Sequence, residues 1–505
     1  MSSQDCLLRV DHASCRINRQ SQLRVTDFSL RQGEHWCLFG GNGAGKTLLA
    51  NLIAGKRLES GKYVTYREGL DPGRDIVMVS FEEQQRLWQR DNRLDMSDYS
   101  DRAEDPGTTV MQLLRSGLAS DDGLSDAYES IVDQLDLKKL LYQGIRFLSS
   151  GQIRRALIGR ALIAAVGDAR KLIVLDDPLE SIDNASRQRI IDCIESLRES
   201  GFSSLLLCRR HRDILPGTTH LALLENLELT RQGPLAEVLD TQHFRERMAQ
   251  PPELPDSLPL AEVPEMPASA SSTAIIDLED IHAYYGDKRV LESVTWRMTN
   301  SHHTLIEGPN GCGKSTLLSL ICGENHMAYG QQVRLFGKQR GSGETVWEIK
   351  SRFGLVGNEL HNKYVKGWRA LDVVVSGLYD SVGLYDDSVA SDRAVAKEWL
   401  ACLGLADYEA RYYHELSFGQ QRLVLLARAM VKSPAVLILD EPCVGLDDYH
   451  RQLILGVLDL ITNQTRTRLI YVSHVSEERP ACINQRLEFV SVGEHSHSVV
   501  QHDLC

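Results

Sequence analysis

The chain has no apolar run long enough to cross a bilayer. Its longest runs, such as Ala435–Leu439, are strand-sized and end in charge, whereas a spanning helix needs about 20 apolar residues. The first ten residues, Met1 to Val10, carry Asp5 and Arg9 and hold no signal-peptide core. Direct membrane insertion is therefore not expected. Positive charge is short as well: 56 Lys and Arg stand against 69 Asp and Glu, a formal net charge of −13. Sequence-independent nucleic-acid binding relies on cations that neutralise phosphates, so no nucleic-acid partner is expected. Paired cysteines are missing too. The 11 Cys are scattered without CxxC spacing, which reads as reduced cytosolic thiols and not as a disulfide frame or zinc site.

What is present is an ordinary globular balance, 42% hydrophobic and 25% charged over 505 residues, enough for two to four domains. One unit is used twice. Gly40-Gly41-Asn42-Gly43-Ala44-Gly45-Lys46-Thr47 recurs as Gly308-Pro309-Asn310-Gly311-Cys312-Gly313-Lys314-Ser315, 268 positions later. Leu148-Ser149-Ser150-Gly151-Gln152 recurs as Leu416-Ser417-Phe418-Gly419-Gln420 at the same offset, and Leu175-Asp176-Asp177-Pro178 as Leu439-Asp440-Glu441-Pro442 at 264. Three motifs in one order at nearly one offset mark a tandem repeat.

Composition places the boundary. Ala249 to Thr273 holds six of the fifteen Pro, four acidic residues and no Lys or Arg. Such a stretch reads as an extended linker between a first domain over 1–248 and a second over 274–505. Each half alternates strand-like and helix-like runs. The strands are His35–Phe39, Leu172–Leu175 and Ser204–Leu207, matched by Thr304–Ile306, Val436–Leu439 and Arg468–Val472. Helical patterns follow at Thr47–Ile53 and Thr316–Ile321, stopped by Gly55 and Gly323. The expected fold class is α/β, a largely parallel sheet flanked by helices in each half. About a hundred residues before Leu148 leave room for a mostly helical subdomain.

Both Gly-rich loops fit G-x-x-x-x-G-K-[ST] between a strand and a helix. Their glycines let backbone N–H groups curl round phosphates, and the helix N-terminus adds partial positive charge. Lys46 and Lys314 are expected at the β- and γ-phosphates of ATP, and Thr47 and Ser315 at Mg²⁺. Asp176 and Asp440 each end an apolar strand, where a carboxylate is costly unless it serves the metal shell. The next residue should activate the attacking water. It is Glu441 in the second half and the shorter Asp177 in the first. A displacement near 1 Å costs about 10²-fold in rate. His474, after strand Arg468–Val472, is expected at the γ-phosphate. The first half has Arg209 at that place, with His211 two residues beyond. Tyr285 is an aromatic candidate for stacking on adenine.

Taken together, the Gly-rich loop, LSxGQ and strand-Asp motifs resemble the ABC ATPase superfamily over almost the whole chain. The resemblance implies two P-loop NTPase domains, each with a helical subdomain. It implies an ATP sandwich in which each loop faces the other domain's Ser149, Gly151 and Gln152 or Ser417, Gly419 and Gln420. With a 25-residue linker that sandwich is expected within one chain. More narrowly, Leu335 to Lys350, Leu378 to Gly383 and Pro480 to Phe489 resemble the twin-domain ModF/PhrA family of bacteria. That resemblance implies an ATP-hydrolysing subunit of a molybdate-type oxyanion importer. The implied partners are membrane permease subunits, and the implied location is peripheral, at the cytoplasmic face of the inner membrane.

Two departures bear on the permease. The glutamine that couples nucleotide to a permease in such proteins should follow the strand near Val356, where Asn358 stands. In the first half the same count reaches Glu82, with Gln84 and Gln85 just beyond. One alternative is a soluble regulatory or ribosome-acting twin-domain ATPase of the ABC-F kind, although that class has a long basic linker. Another is a twin-domain sugar-importer ATPase, where the degenerate half is usually the second.

Overall fold

The computed structural model describes residues 6–16, 22–93, 107–118, 126–166, 168, 170–180, 182–249, 251–259, 274–285, 288–309, 311–364, 367–383, 388–473, 479–493 and 496–504. The chain divides into two compact units, Met1–Gln250 and Pro251–Cys505.

The first unit contains β1 (Cys6–Arg16), β2 (Gln22–Arg31), β3 (His35–Phe39), β4 (Val64–Tyr66), β5 (Ile76–Val79), β6 (Leu172–Asp176), β7 (Ser203–Cys208), β8 (His220–Glu225) and β9 (Glu228–Pro234). Among the described residues they form one sheet in the order β4-β1-β2-β9-β8-β3-β7-β6-β5. The run from β8 to β5 is parallel, and β1 pairs antiparallel with β2 and β4. The helices Phe81–Arg93, Val110–Arg115, Asp126–Gln134 and Ser150–Ala165 lie between β5 and β6 in the chain. They supply the helical subdomain that the spacing predicts.

Strand β6 shows why this sequence makes this sheet. Leu172 and Val174 join one buried apolar cluster, and Ile173 and Leu175 join another. A strand covered on both faces needs a continuous apolar run, not an alternating one. Each such side chain contributes about 1.5–3 kcal/mol by leaving water. The chain changes character at Asp176, where the cover ends.

The second unit repeats the plan with β10 (Ala274–Tyr285), β11 (Lys288–Thr299), β12 (Thr304–Glu307), β13 (Gln332–Leu335), β14 (Lys338–Gln339), β15 (Phe353–Val356), β16 (Val436–Asp440), β17 (Arg468–Val472), β18 (Gln485–Ser491) and β19 (His497–Asp503). The order is β14-β13-β10-β11-β19-β18-β12-β17-β16-β15, parallel from β18 to β15. Between β15 and β16 lie the helices Asn358–Lys363, Ala370–Val375, Ala390–Cys402 and Phe418–Met430.

The expected linker is shorter than composition suggests. Ala249 ends the helix Gln242–Ala249. Leu258 is buried in the second unit's core, and its N–H donates to Gln464 Oε1 at 3.1 Å. A methyl on Gly456 would meet Leu254 at 2.6 Å. Leu254 and Leu258 thus lay this segment along the helix Asp448–Gln464, with Leu258 buried and Leu254 half-exposed against Gly456. Residues 260–273 lie outside the described residues.

A pair of histidines anchors the central strand of each sheet. His35 opens β3 and His303 precedes β12; both are buried. His35 Nδ1 lies 2.8 Å from Ser204 Oγ on β7, and Leu469 N–H on β17 donates to His303 Nδ1 at 3.2 Å. Burial, then Arg198, pushes His35 down to about 4. Burial, then Arg468, does the same to His303. Both folded values lie below the unfolded value, so the unfolded chain takes up protons first as pH falls. The stability is whole above about pH 6.5 and is lost toward pH 4, up to about 3 kcal/mol per histidine. Thermal melts should therefore shift down between pH 6.5 and 4.5, and His35→Gln and His303→Gln should each flatten that dependence. An unchanged slope in both variants would exclude these histidines as its source.

Candidate functional site

Each Gly-rich loop leaves the tip of a central parallel strand and enters a helix, Lys46–Ile53 or Lys314–Ile321. Gly45 and Gly313 cap those helices at φ 100° and 102°, a left-handed conformation that only glycine adopts without cost. Gly40 is required for a different reason. A Cβ there would stand 2.4 Å from the carbonyl oxygen of Leu224. At Gly308 it would stand 2.6 Å from Phe489 Cβ.

The two lysines occupy the same place in their loops. Lys46 Nζ donates to the carbonyls of Gly40 at 2.7 Å and Gly41 at 2.9 Å. Lys314 Nζ donates to those of Gly308 and Pro309, both at 2.9 Å. Both ammonium groups are buried, and burial lowers the pKa of Lys314. Each loop is thus wrapped round its own cation and leads into a helix N-terminus. That arrangement suits a polyphosphate.

Asp176 lies at the mouth of the first loop, where Thr47 Oγ1 donates to its Oδ2 at 3.0 Å. Burial, then the neighbouring Asp177, pushes the Asp176 carboxyl up to about 6. A carboxylate made uncomfortable by burial and converging with a hydroxyl fits the oxygen donors that Mg²⁺ takes. The corresponding pair is Ser315, exposed beside its loop, and Asp440, at the end of β16.

The following residue has the same backbone in both halves. Asp177 and Glu441 stand at φ 44° and 50°, a left-handed conformation that costs a non-glycine residue about 1–2 kcal/mol. Their N–H groups donate to Leu207 O at 3.1 Å and Val472 O at 3.0 Å. The side chains differ in more than length. Arg209 Nη2 lies 3.0 Å from Asp177 Oδ2 and also pairs with Glu180, while Nη1 donates to Asn42 Oδ1 at 3.4 Å. Burial opposes the charge on Arg209, and Glu180, Asp177 and Asp176 together outweigh it, leaving the pKa raised. Arg154, buried on the helix after the LSxGQ motif, donates to the carbonyls of Asp176 and Asp177 at 3.3 and 3.4 Å. Neither Glu180 nor Arg154 was legible as a site residue. The signal available was the excess of charge beside Asp176 and Asp177.

Strand register identifies the partner positions. Asp176 pairs with Leu207 on β7, and Asp440 with Val472 on β17. Two residues on, Arg209 corresponds to position 474. His474 itself lies outside the described residues. His211 is turned to Phe244, with ring centroids 5.8 Å apart. Tyr285 ends β10, and its side chain lies outside the described residues, as do Asn310 and the side chain of Ser150.

The LSxGQ motifs are helix caps. Ser149 Oγ accepts from Gln152 N at 3.3 Å, and Ser149 N donates to Gln152 Oε1 at 2.9 Å. Ser417 and Gln420 repeat both bonds at the same distances. This reciprocal capping box explains why Ser and Gln sit three apart. It leaves the N-termini of the helices Ser150–Ala165 and Phe418–Met430 well defined. Gly419 is required because a Cβ would meet the His450 ring at 2.3 Å. His450 Nδ1 is in turn held by Asp447 Oδ1 at 2.7 Å.

One expectation is corrected. Val79 pairs with Leu175 and Val356 with Leu439, so Asn358 corresponds to Phe81 and not to Glu82. The residue count placed Glu82 there, one position beyond the one that the strand register gives. Phe81 is exposed, Gln84 is buried and Gln85 is exposed. Glu82 faces Arg86 at 3.7 Å on the helix surface.

The comparisons with known proteins agree with this geometry. A family model described as ABC transporter matches residues 23–180 and 291–444. The "ABC transporter ATP-binding protein ModF" of Escherichia coli K12 is 34% identical over 500 residues, covering 96% of this chain and 97% of that one. An uncharacterized ABC transporter ATP-binding protein of Schizosaccharomyces pombe is 24% identical over 91% of this chain and 93% of its own. Among solved structures, the complex of archaeal ribosomal stalk protein aP1 with ribosome recycling factor aABCE1 matches with TM-score 0.58 at 16% identity, covering 97% of this chain and 90% of that one. A structure titled RNase-L Inhibitor matches with TM-score 0.57 at 15% identity, covering 99% and 90%. At such identities these two share the fold. The chain belongs to the ATP-binding proteins of the ABC transporter family, with two tandem P-loop domains in one polypeptide.

Proposed function

We propose that this protein binds ATP at both Gly-rich loops, hydrolyses it chiefly at the second, and energises a molybdate-type oxyanion importer. Lys314 and the N–H groups of Gly308–Ser315 hold the phosphates in the second half, as Lys46 and Gly40–Thr47 do in the first. Ser315 with Asp440, and Thr47 with Asp176, would hold Mg²⁺, which would supply positive charge to offset that of the phosphates. Glu441 takes a proton from the attacking water, and His474 contacts the γ-phosphate. Tyr285 stacks on adenine. Ser417, Gly419 and Gln420, with Ser149, Gly151 and Gln152, present helix N-termini to the nucleotide. Asp177 is a poor counterpart of Glu441, and the observation that carries the asymmetry is its ion pair with Arg209.

The transport reading rests on 34% identity across nearly the whole of a protein named ModF. Among the described residues, no helix is long and apolar enough to cross a membrane, so transport needs separate permease subunits. The protein is then peripheral at the cytoplasmic face of the bacterial inner membrane. A second reading, a regulatory twin-domain ATPase with no permease, is favoured by a specific observation. Neither coupling position carries glutamine: Phe81 stands in one half and Asn358 in the other.

Glu441→Gln should cut steady-state ATP hydrolysis by about 10²-fold or more, and Asp177→Asn should change it far less. Equal losses, measured as phosphate release by purified full-length protein, would remove the asymmetry. A separate test addresses the partner. A tagged chain at native level should sediment with membranes and crosslink to a permease. Recovery on ribosomes or in the soluble fraction alone would decide for the second reading.

A further inference from the structure

The first half differs from the second at three positions that meet in space. Asp177, Glu180 and Arg209 stand where the second half has Glu441, Val444 and position 474, occupied by His. The changes compensate one another. The first trio carries two carboxylates and one guanidinium, and the second carries one carboxylate and, with histidine neutral, no cation. The net charge is the same. A site that had merely decayed would have no reason to gain Glu180 together with Arg209.

The geometry gives the trio a shape. Arg209 is 13% exposed and is clamped between Asp177 and Glu180. Its Nη1 reaches Asn42, in the Gly-rich loop. A guanidinium has five N–H donors in a fixed fork. It can stay on Glu180 and still offer donors toward the loop mouth. A carboxylate held by such a fork is engaged with the guanidinium and not with a water, and removing one partner of a buried ion pair strands the other charge.

We propose that Arg209, braced by Glu180, is a latch that lets the first nucleotide site hold ATP without cleaving it. Arg209 occupies the Asp177 carboxylate, keeping it from the attacking water, and donates to the terminal phosphate of a nucleoside triphosphate in the loop. This rests on the reading of Gly40–Thr47 as an ATP site. Arg209 is a ligand of the phosphate, and Glu180 is a positioning residue that acts through it. The first half is then a site that senses the triphosphate and stays loaded while the second turns over.

The test uses the full chain with Glu441→Gln, so that the second site binds ATP and does not cleave it. Radiolabelled ATP is loaded, free nucleotide is removed, and the retained nucleotide is separated as ATP or ADP. The Glu441→Gln chain should retain ATP uncleaved. Adding Asp177→Glu, Glu180→Val and Arg209→His, the second half's own residues, should turn one retained nucleotide into ADP. It should also raise turnover on the order of 10²-fold above the parent. Arg209→Ala alone should lose the ATP retained at the first site, and Arg209→Lys should restore part of it. The latch is overturned by ATP that stays uncleaved in the grafted chain, and equally by retention indifferent to Arg209→Ala. Cleavage by the Glu441→Gln chain that Lys46→Met abolishes also overturns it. Cleavage that survives Lys46→Met instead places the error in the reading of Glu441 and leaves the latch to be decided by the retention arm.

Discussion

Asp176 closes a strand whose preceding four residues are buried on both faces of the sheet, and that placement constrains everything near it. A carboxylate at the edge of an apolar layer is poorly solvated, so its pKa rises and it needs donors or a cation. Thr47 supplies one donor from the loop helix. Lys46 stands close enough to lower the carboxyl's pKa. Arg154 does not reach the carboxylate itself. It bonds the backbone carbonyls of Asp176 and Asp177 and so fixes the strand end that presents it. The loop, the strand tip and the helix after the LSxGQ motif are thereby tied to one buried charge.

The plan of the fold was legible because it rests on periodicity and repetition. Continuous apolar runs ending in Asp, with a Gly-rich loop before a helix, leave few arrangements for a parallel sheet. The strand expectations Arg468–Val472 and His35–Phe39 match the structure residue for residue, and Leu172–Leu175 falls one short. What stayed hidden depends on contacts between residues distant in sequence. His35 and His303 look like ordinary polar residues until their burial against β7 and β17 is seen. Gln152 and Gln420 read as nucleotide ligands, while in the fold each completes a cap with its own serine. The coupling position was misplaced because a one-residue shift at a strand end is invisible without its neighbour's register.

The tandem halves separate what the backbone requires from what the chemistry requires. Asp177 and Glu441 share a strained left-handed φ, and Gly45 and Gly313 share another. Both lysines bond the same two carbonyls of their loops, and both serines cap through the same two bonds. These features are present whether or not a half carries Glu and His, so they belong to building the loop and the strand tip. The loop and the LSxGQ motif differ only by uncharged exchanges, such as Thr47 for Ser315 and Ser150 for Phe418. Within these motifs the exchanges that alter charge are confined to the neighbourhood of the strand tips, at Glu180 and Arg209.

That confinement has a physical reason. Gly40 and Gly308 cannot take a side chain without clashes against Leu224 in one half or Phe489 in the other. A side chain at either of those two glycines would therefore disturb the loop before it altered any reaction. The positions facing the phosphate end are only partly buried and lie beyond the last ladder pair. There a carboxylate, a valine or a guanidinium can be exchanged if the local charge stays balanced. Asp177, Glu180 and Arg209 satisfy that condition as a set, and none of them would satisfy it alone. An isolated Arg209 would lack its counter-charge, and an isolated Glu180 would add a third carboxylate beside Asp176 and Asp177. The three substitutions are therefore best understood as one change, made at the place in the unit where the fold permits it.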